Sequence, residues 1–233
     1  MQDPTKELRE IYDAMWQQHA PKLAQGQVDI DVFFENPGQD TRRGITLIAR
    51  PGEETQSDIS QFLADAQRVA PEQYYYVPED RHLTVLSIIS CYAGFTLNGI
   101  DPMAYAEVVE KSLKDIQSFR IDFQGLTVSG AGVMIQGFPA DDNLERLRQA
   151  LRQRFNDSGL AIRMDERYPI RTAHLTVIRF MNPLLQAKNF MNFLSENRAR
   201  RFHHTRLTQV ELVYNDGYQR SSQVEKLKSF DFG

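Results

Sequence analysis

The tetrapeptide His-Leu-Thr-Val occurs twice in this 233-residue chain, in RHLTVLSI over residues 81–88 and in AHLTVIRF over residues 173–180. Each copy lies in an apolar, β-branched run of strand length. Successive side chains of a strand point to opposite faces, so His82 and Thr84 share one face while Leu83 and Val85 take the other; His174 and Thr176 share a face in the same way. Packing alone does not require such a pair. Ile, Val or Phe would fill a core position without the cost of burying polar groups, so the same polar pair in two places points to a shared task.

The segments around the two copies also correspond. GITLIARP, ended by Pro51, matches GVMIQGFP, ended by Pro139, and each reads as a strand. A helix is expected after each. Ile59, Phe62, Leu63, Ala66 and Val69 form one stripe, with Ser57 or Asp58 as N-cap; Leu144, Leu147, Leu151 and Phe155 form the other, with Asp141 or Asp142 as N-cap and Gly159 as terminator. The HLTV strands follow, then helices opened by Asp101-Pro102 and Asn182-Pro183, a cap residue followed by proline at the first helical position. Each half closes on a strand, RIDFQGLTVSG or TRLTQVELVYND, whose alternation slips between Phe123 and Leu126 or between Leu207 and Val210, as a bulge would require. A β-α-β-α-β order therefore runs twice through residues 44–214. The first half carries about 11 extra residues around SCYAGFTLNG, since His82 precedes Pro102 by 20 positions and His174 precedes Pro183 by 9. An amphipathic helix bearing Leu8, Ile11, Tyr12, Met15 and Trp16 and stopped by Pro21 forms an N-terminal arm over residues 1–40, ahead of one bilobal domain over 41–233 with halves of about 41–130 and 131–220.

Composition narrows the function classes. A net charge of −4 and a pI near 5.8 argue against non-specific coating of long nucleic acids, which is built from many Lys/Arg contacts to phosphate. The dense basic stretch RARRFHHTR, residues 198–206, suits cations placed at a helix C-terminus. Cys91 is the only cysteine, so neither an internal disulfide nor a cysteine-based zinc cluster is possible. No apolar run approaches bilayer length and no signal peptide is evident, so a cytoplasmic protein is expected.

Two imidazoles facing each other across a cleft could perform in-line displacement at phosphorus. Imidazole titrates near pH 6.5, so at neutral pH one ring can accept a proton from the attacking oxygen while the other donates one to the departing oxygen. The threonine hydroxyls, two residues away on the same face, could donate to the non-bridging oxygens.

With these features the chain resembles the 2H phosphoesterases, a group named for two His-x-Thr/Ser motifs on strands of a pseudo-symmetric bilobal fold. The group includes enzymes described as 2′-5′ RNA ligases and 2′,3′-cyclic nucleotide phosphodiesterases. The likeness extends over about residues 40–220 in element order. AHLTVI fits the motif, apolar-His-apolar-Thr/Ser-apolar-apolar, at every place; RHLTVL departs at the first, where Arg81 replaces an apolar residue. The resemblance implies an α+β, bilobal, pseudo-twofold fold of two β-α-β-α-β repeats with antiparallel-rich sheets lining a central cleft. It implies His82 and His174 as acid and base, Thr84 and Thr176 on phosphate, and no metal or other cofactor. The expected substrate is a cyclic nucleotide or an RNA-terminal 2′,3′-cyclic or 2′-5′ phosphodiester. A 2′-5′ ligase using the same site and a non-catalytic module that binds a nucleotide or RNA end are the alternatives.

Among neighbouring residues, Tyr76 could stack on a base and Arg171 could reach a phosphate. Gly130, Gly132 and Gly137 do not make a dinucleotide fingerprint, because the third glycine comes too late and the cluster precedes a strand. A metal site would need Glu79, Asp80, Asp165 or Glu166 to join the two histidines.

Overall fold

The computed structural model describes residues 4–31, 33, 37–164 and 169–233, so Asp165 and Glu166 lie outside the described residues. Helix α1 (Pro4–Ala24) precedes strand β1 (Arg42–Ala49), α2 (Glu53–Val69), the two-residue β2 (Tyr74–Tyr75), β3 (Leu83–Ala93), α3 (Pro102–Leu113) and β4 (Phe119–Ser129). Then come β5 (Gly132–Pro139), α4 (Asn143–Asp157), β6 (Leu175–Arg179), α5 (Ala187–Glu196), β7 (Thr205–Leu207), β8 (Gln209–Asn215) and β9 (Glu225–Asp231). No described helix is long and apolar enough to cross a membrane.

The described strands form one sheet in the order β7-β4-β5-β6-β3-β1-β8-β9, with β2 on β6 and every named ladder antiparallel. The expected α+β repeat is present, and its two halves interleave. The last strand of the first half, β4, pairs with β5 of the second, while β8, from the end of the second half, pairs with β1 of the first. At the centre the two HLTV strands meet through a single antiparallel pair, Leu83 with Leu175. Both leucines are buried, so their strand neighbours His82, Thr84, His174 and Thr176 face the opposite side. Extending that register by one residue sets His82 opposite Thr176 and Thr84 opposite His174.

The helices bury the stripes read from the sequence: Ile59, Phe62, Leu63 and Ala66 on α2, and Leu144, Leu147, Leu151 and Phe155 on α4. Each such side chain contributes roughly 1.5–3 kcal/mol by leaving water, enough to hold one face of each helix on the sheet. Asp101 caps α3 by accepting from the Met103 N–H at 3.0 Å, and Gly159 takes φ +72° just past α4. Other boundaries differ from the expectation. Helix α2 starts at Glu53, before Ser57 and Asp58, because the Asp58 carboxylate is taken by the N–H and Nδ1 of His203, both at 2.7 Å. Helix α5 starts at Ala187; Asn182 instead donates from Nδ2 to the Glu72 carbonyl at 2.7 Å. Pro21 does not stop α1, which runs on to Ala24. The proline gives up one intrahelical N–H bond, and fully buried Leu23 holds the last turn.

Both alternation slips mark real irregularities. The β4–β5 register breaks between Phe123 and Leu126, where Gly125 adopts φ +86° and its N–H donates to the Arg200 carbonyl at 2.7 Å. In the second half the strand divides at Thr208 into β7, which pairs with β4, and β8, which pairs with β1 and β9. The extra residues of the first half lengthen β3 along β1 as far as Ala93 opposite Arg42, before the turn at Gly94.

The N-terminal arm docks beside the second motif. Tyr12 is fully buried, and its hydroxyl donates to the Gly137 carbonyl at 3.2 Å while accepting from the Ala173 N–H at 3.1 Å. Ala173 immediately precedes His174. Gly137 is required at this crossing, since a Cβ there would lie 1.9 Å from the Ala173 carbonyl oxygen.

Candidate active site

His82, Thr84, His174 and Thr176 line one open cleft, together with Tyr76 and Arg179. The pairs that the sequence separates by 92 positions are brought together by the central register. Each histidine is fixed from behind. His82 Nδ1 lies 2.7 Å from the carbonyl oxygen of Asp80; a carbonyl only accepts, so this nitrogen carries the proton and Nε2 of the neutral ring is bare. Asp80 is itself locked, for its carboxylate accepts from the Ser221 N–H at 2.7 Å and the Tyr74 hydroxyl at 2.9 Å. His174 Nδ1 lies 2.8 Å from Thr172 Oγ1, a partner able to donate or accept.

Both imidazoles are held well below their ordinary range, at about 4. For His82 the chief cause is burial, joined by the charges of Arg50 and Arg179 and opposed by the Asp80 carbonyl and carboxylate. For His174 it is again burial, followed by Arg148, Arg179 and His82. Both rings are therefore neutral at neutral pH. An anion between them would reverse the balance, since a nearby opposite charge favours the protonated form.

Two buried arginines support the motifs from outside the cleft. Arg148 of α4 is 1% exposed and donates from Nε to the Val85 carbonyl at 2.9 Å and from Nη2 to the carbonyls of Thr84 at 3.1 Å and Thr172 at 2.8 Å. It ties the first motif to the lead-in of the second. Arg81, the departure from the family motif, is buried too; it donates to the carbonyls of Tyr76 and Gln56, to Gln56 Oε1 and to Ser60 Oγ. The arginine thus anchors β3 to α2 by hydrogen bonds where an apolar residue would do so by packing.

The structure separates the two secondary candidates. Tyr76 is buried at the cleft wall, with its hydroxyl 3.5 Å from Arg179 Nε and its ring 6.4 Å from that of His82. Arg171 is exposed, pairs with Glu7 of α1 at 3.7 Å and stands outside this cleft, on the rim of an adjoining pocket. Of the metal-ligand candidates, Asp80 is occupied as above; among the described residues no three His, Cys, Asp or Glu side chains are grouped to hold a metal ion.

Sequence reasoning missed Arg179, Arg148 and Thr172. Arg179 left a trace, a cation at the end of an otherwise apolar strand. Arg148 left another, lying four residues after Leu144 on the same buried stripe. Thr172 left none. Two further residues of the cleft lining were missed, Asn215 and Gln219, whose side-chain oxygens are buried with no hydrogen-bond partner among the described residues. Gln219 has φ +59°, in the left-handed region that non-glycine residues seldom occupy outside constrained sites.

No family model matches the sequence, and no curated protein does. Solved structures do match. TT0787 of Thermus thermophilus aligns with a TM-score of 0.58 at 13% identity over 81% of this chain and 97% of that one. Escherichia coli LigT complexed with 3′-AMP aligns at 0.51 with 12% identity over 82% and 98% of the respective chains. LigT complexed with NADP+ aligns at 0.50 with 11% identity over the same shares. At such identities the likeness is one of backbone, and it agrees with the paired motifs: the fold of this chain is the 2H phosphoesterase fold.

Proposed function

We propose that the protein is a metal-independent phosphodiesterase acting on a nucleotide or an RNA end that bears a 2′,3′-cyclic or 2′-5′ phosphodiester. The observation that carries this reading is the opening of two imidazoles and two threonine hydroxyls, with Arg179 beside them, onto a single cleft. Water attacks phosphorus and passes its proton to one imidazole; the bond to the leaving oxygen breaks and the second, protonated imidazole delivers a proton to it. Thr84, Thr176 and Arg179 hold the non-bridging oxygens as their charge grows.

The surroundings support a division of the roles. The Asp80 carbonyl and carboxylate favour a cationic His82, whereas the hydroxyl behind His174 and the nearby Arg148 do not favour a cationic ring. On this reading His82 acts as the acid and His174 as the base. That LigT, with the same fold, has been solved with 3′-AMP and with NADP+ supports a nucleotide as ligand.

Turnover of 2′,3′-cyclic nucleotides and short 2′-5′-linked oligonucleotides in excess chelator tests the reading. Hydrolysis should survive chelation and fall about 100-fold or more in both His82→Ala and His174→Ala, in line with the usual worth of a general acid or base. Binding without turnover in the wild type would leave only a nucleotide-binding module.

A further inference from the structure

We infer that the N-terminal helix completes a second subsite, which receives the other ester arm of a two-armed phosphodiester. This rests on the proposed function, and names the substrate class as a linear diester with a ring-bearing group on each side of phosphorus.

His174, Thr176 and Arg179 line not only the cleft but also a second pocket. The two hollows therefore meet where the phosphate would sit. In-line displacement sets water and the leaving oxygen on opposite sides of phosphorus, so the retained ester arm of a linear diester projects sideways and needs a hollow of its own beside the phosphate. A cyclic phosphate carries one nucleoside and needs one hollow; a linear diester has an arm for each.

The linings differ in kind. The cleft is lined by polar side chains, Thr46, Ser87, Ser90, Asn215 and Gln219 among them, suited to the N–H and O–H groups of a nucleoside. The second pocket is walled by Ile11 and Met15 of α1, Met134 of β5 and Pro169, suited to the apolar faces of a ring. Arg171 stands at its rim, where a further phosphate of an oligonucleotide would be met by a cation.

The α1 wall is firmly held. Besides the Tyr12 bonds to Gly137 and Ala173, Thr127 Oγ1 donates to the Tyr12 carbonyl at 2.8 Å. Arg198 donates to Asp13 at 2.6 Å and lies 4.6 Å from the ring centre of Trp16. The chain thus fixes the helix against the residue before His174 and leaves the Ile11 and Met15 side to line the hollow.

The test compares kcat/KM for a 2′-5′ dinucleoside monophosphate with that for a 2′,3′-cyclic mononucleotide. Met15→Trp fills the pocket and should lower the ratio of the two at least tenfold; Ile11→Ala, a milder change, should lower it about threefold. Thermal melts identify any variant that fails to fold. A ratio unchanged in folded variants overturns the subsite, as does an equal loss on both substrates, which would make α1 a structural support alone. Affinity for the methylenephosphonate analogue of the dinucleoside, relative to 3′-AMP, separates this inference from the catalytic one. If the wild type hydrolyses neither substrate the proposed reaction fails, and the analogue then decides: a tenfold loss of relative affinity in Met15→Trp supports the subsite, and no loss overturns it.

Discussion

At His82 the atom behind the ring is a carbonyl oxygen; at His174 it is a hydroxyl. That difference breaks the symmetry of two identical tetrapeptides, and it could not be read from them, because Thr172 stands two residues ahead of one motif and Asp80 two residues ahead of the other. Which of the two supplies a side-chain oxygen and which a main-chain oxygen depends on the local turn. The motif residues themselves were legible, since period-2 alternation fixes which side chains share a face. The consequence for protons is measurable. Both rings are near 4, hence neutral at pH 6.5, and an anion placed between them raises both. Binding of sulfate, which does not itself titrate there, should take up close to one proton in the wild type and much less in His82→Gln. Calorimetry in buffers of different ionisation enthalpy reads this directly, and zero uptake with saturable binding would count against the shared-anion site.

Among the elements, α4 acts on the site without touching substrate. Its buried Arg148 spans the carbonyls of Thr84, Val85 and Thr172, so the helix clamps both motif strands at once. Arg148→Met keeps most of the apolar stem and strips the donors. Each carbonyl left dry costs about 1–3 kcal/mol, and a loss of about 3 kcal/mol or more is expected from the urea midpoint, with Arg148→Lys intermediate. The variant should also move the limb of the pH–rate profile that belongs to His174 upward, since the Arg148 charge is one cause of its low pKa; a purely structural role would leave that limb in place. At this scale the sequence was readable where a physical conflict marked it. The alternation slip at residues 123–126 located the Gly125 bulge because hydrophobic phase cannot change without an extra residue. The start of α2 was misread because Ser57 and Asp58 are good caps in isolation, and their competing partner, His203, lies far along the chain.

For the molecule as a whole, two strands exchange between halves. That exchange was hidden because strand pattern records which face is buried and says nothing about which neighbour is paired. It makes the central Leu83–Leu175 pair the hinge line of the sheet, so the fold itself must keep two uncharged histidines close together beside Arg179. Stability should report this. Above pH 6.5 both rings are neutral whether the chain is folded or not, and their contribution is constant. As pH falls toward 4 the unfolded chain takes up protons at its ordinary imidazole pKa while the folded cleft resists until about 4, so folding loses stability over that window. Asp31, Asp40 and Asp58 have folded pKa values below the ordinary carboxylate value, so what they add is lost at lower pH. His19 shares the direction of the pair and His203 opposes it; both are retained in a His82→Gln, His174→Gln variant and cancel in a comparison. The wild type should therefore lose more of its urea midpoint between pH 7.5 and 4.5 than the double variant does, and saturating sulfate should reduce the difference by stabilising the protonated folded state. Equal losses in the two proteins would mean that the imidazoles titrate normally, open to water on a surface, and that the sheet does not bring them together over an anion.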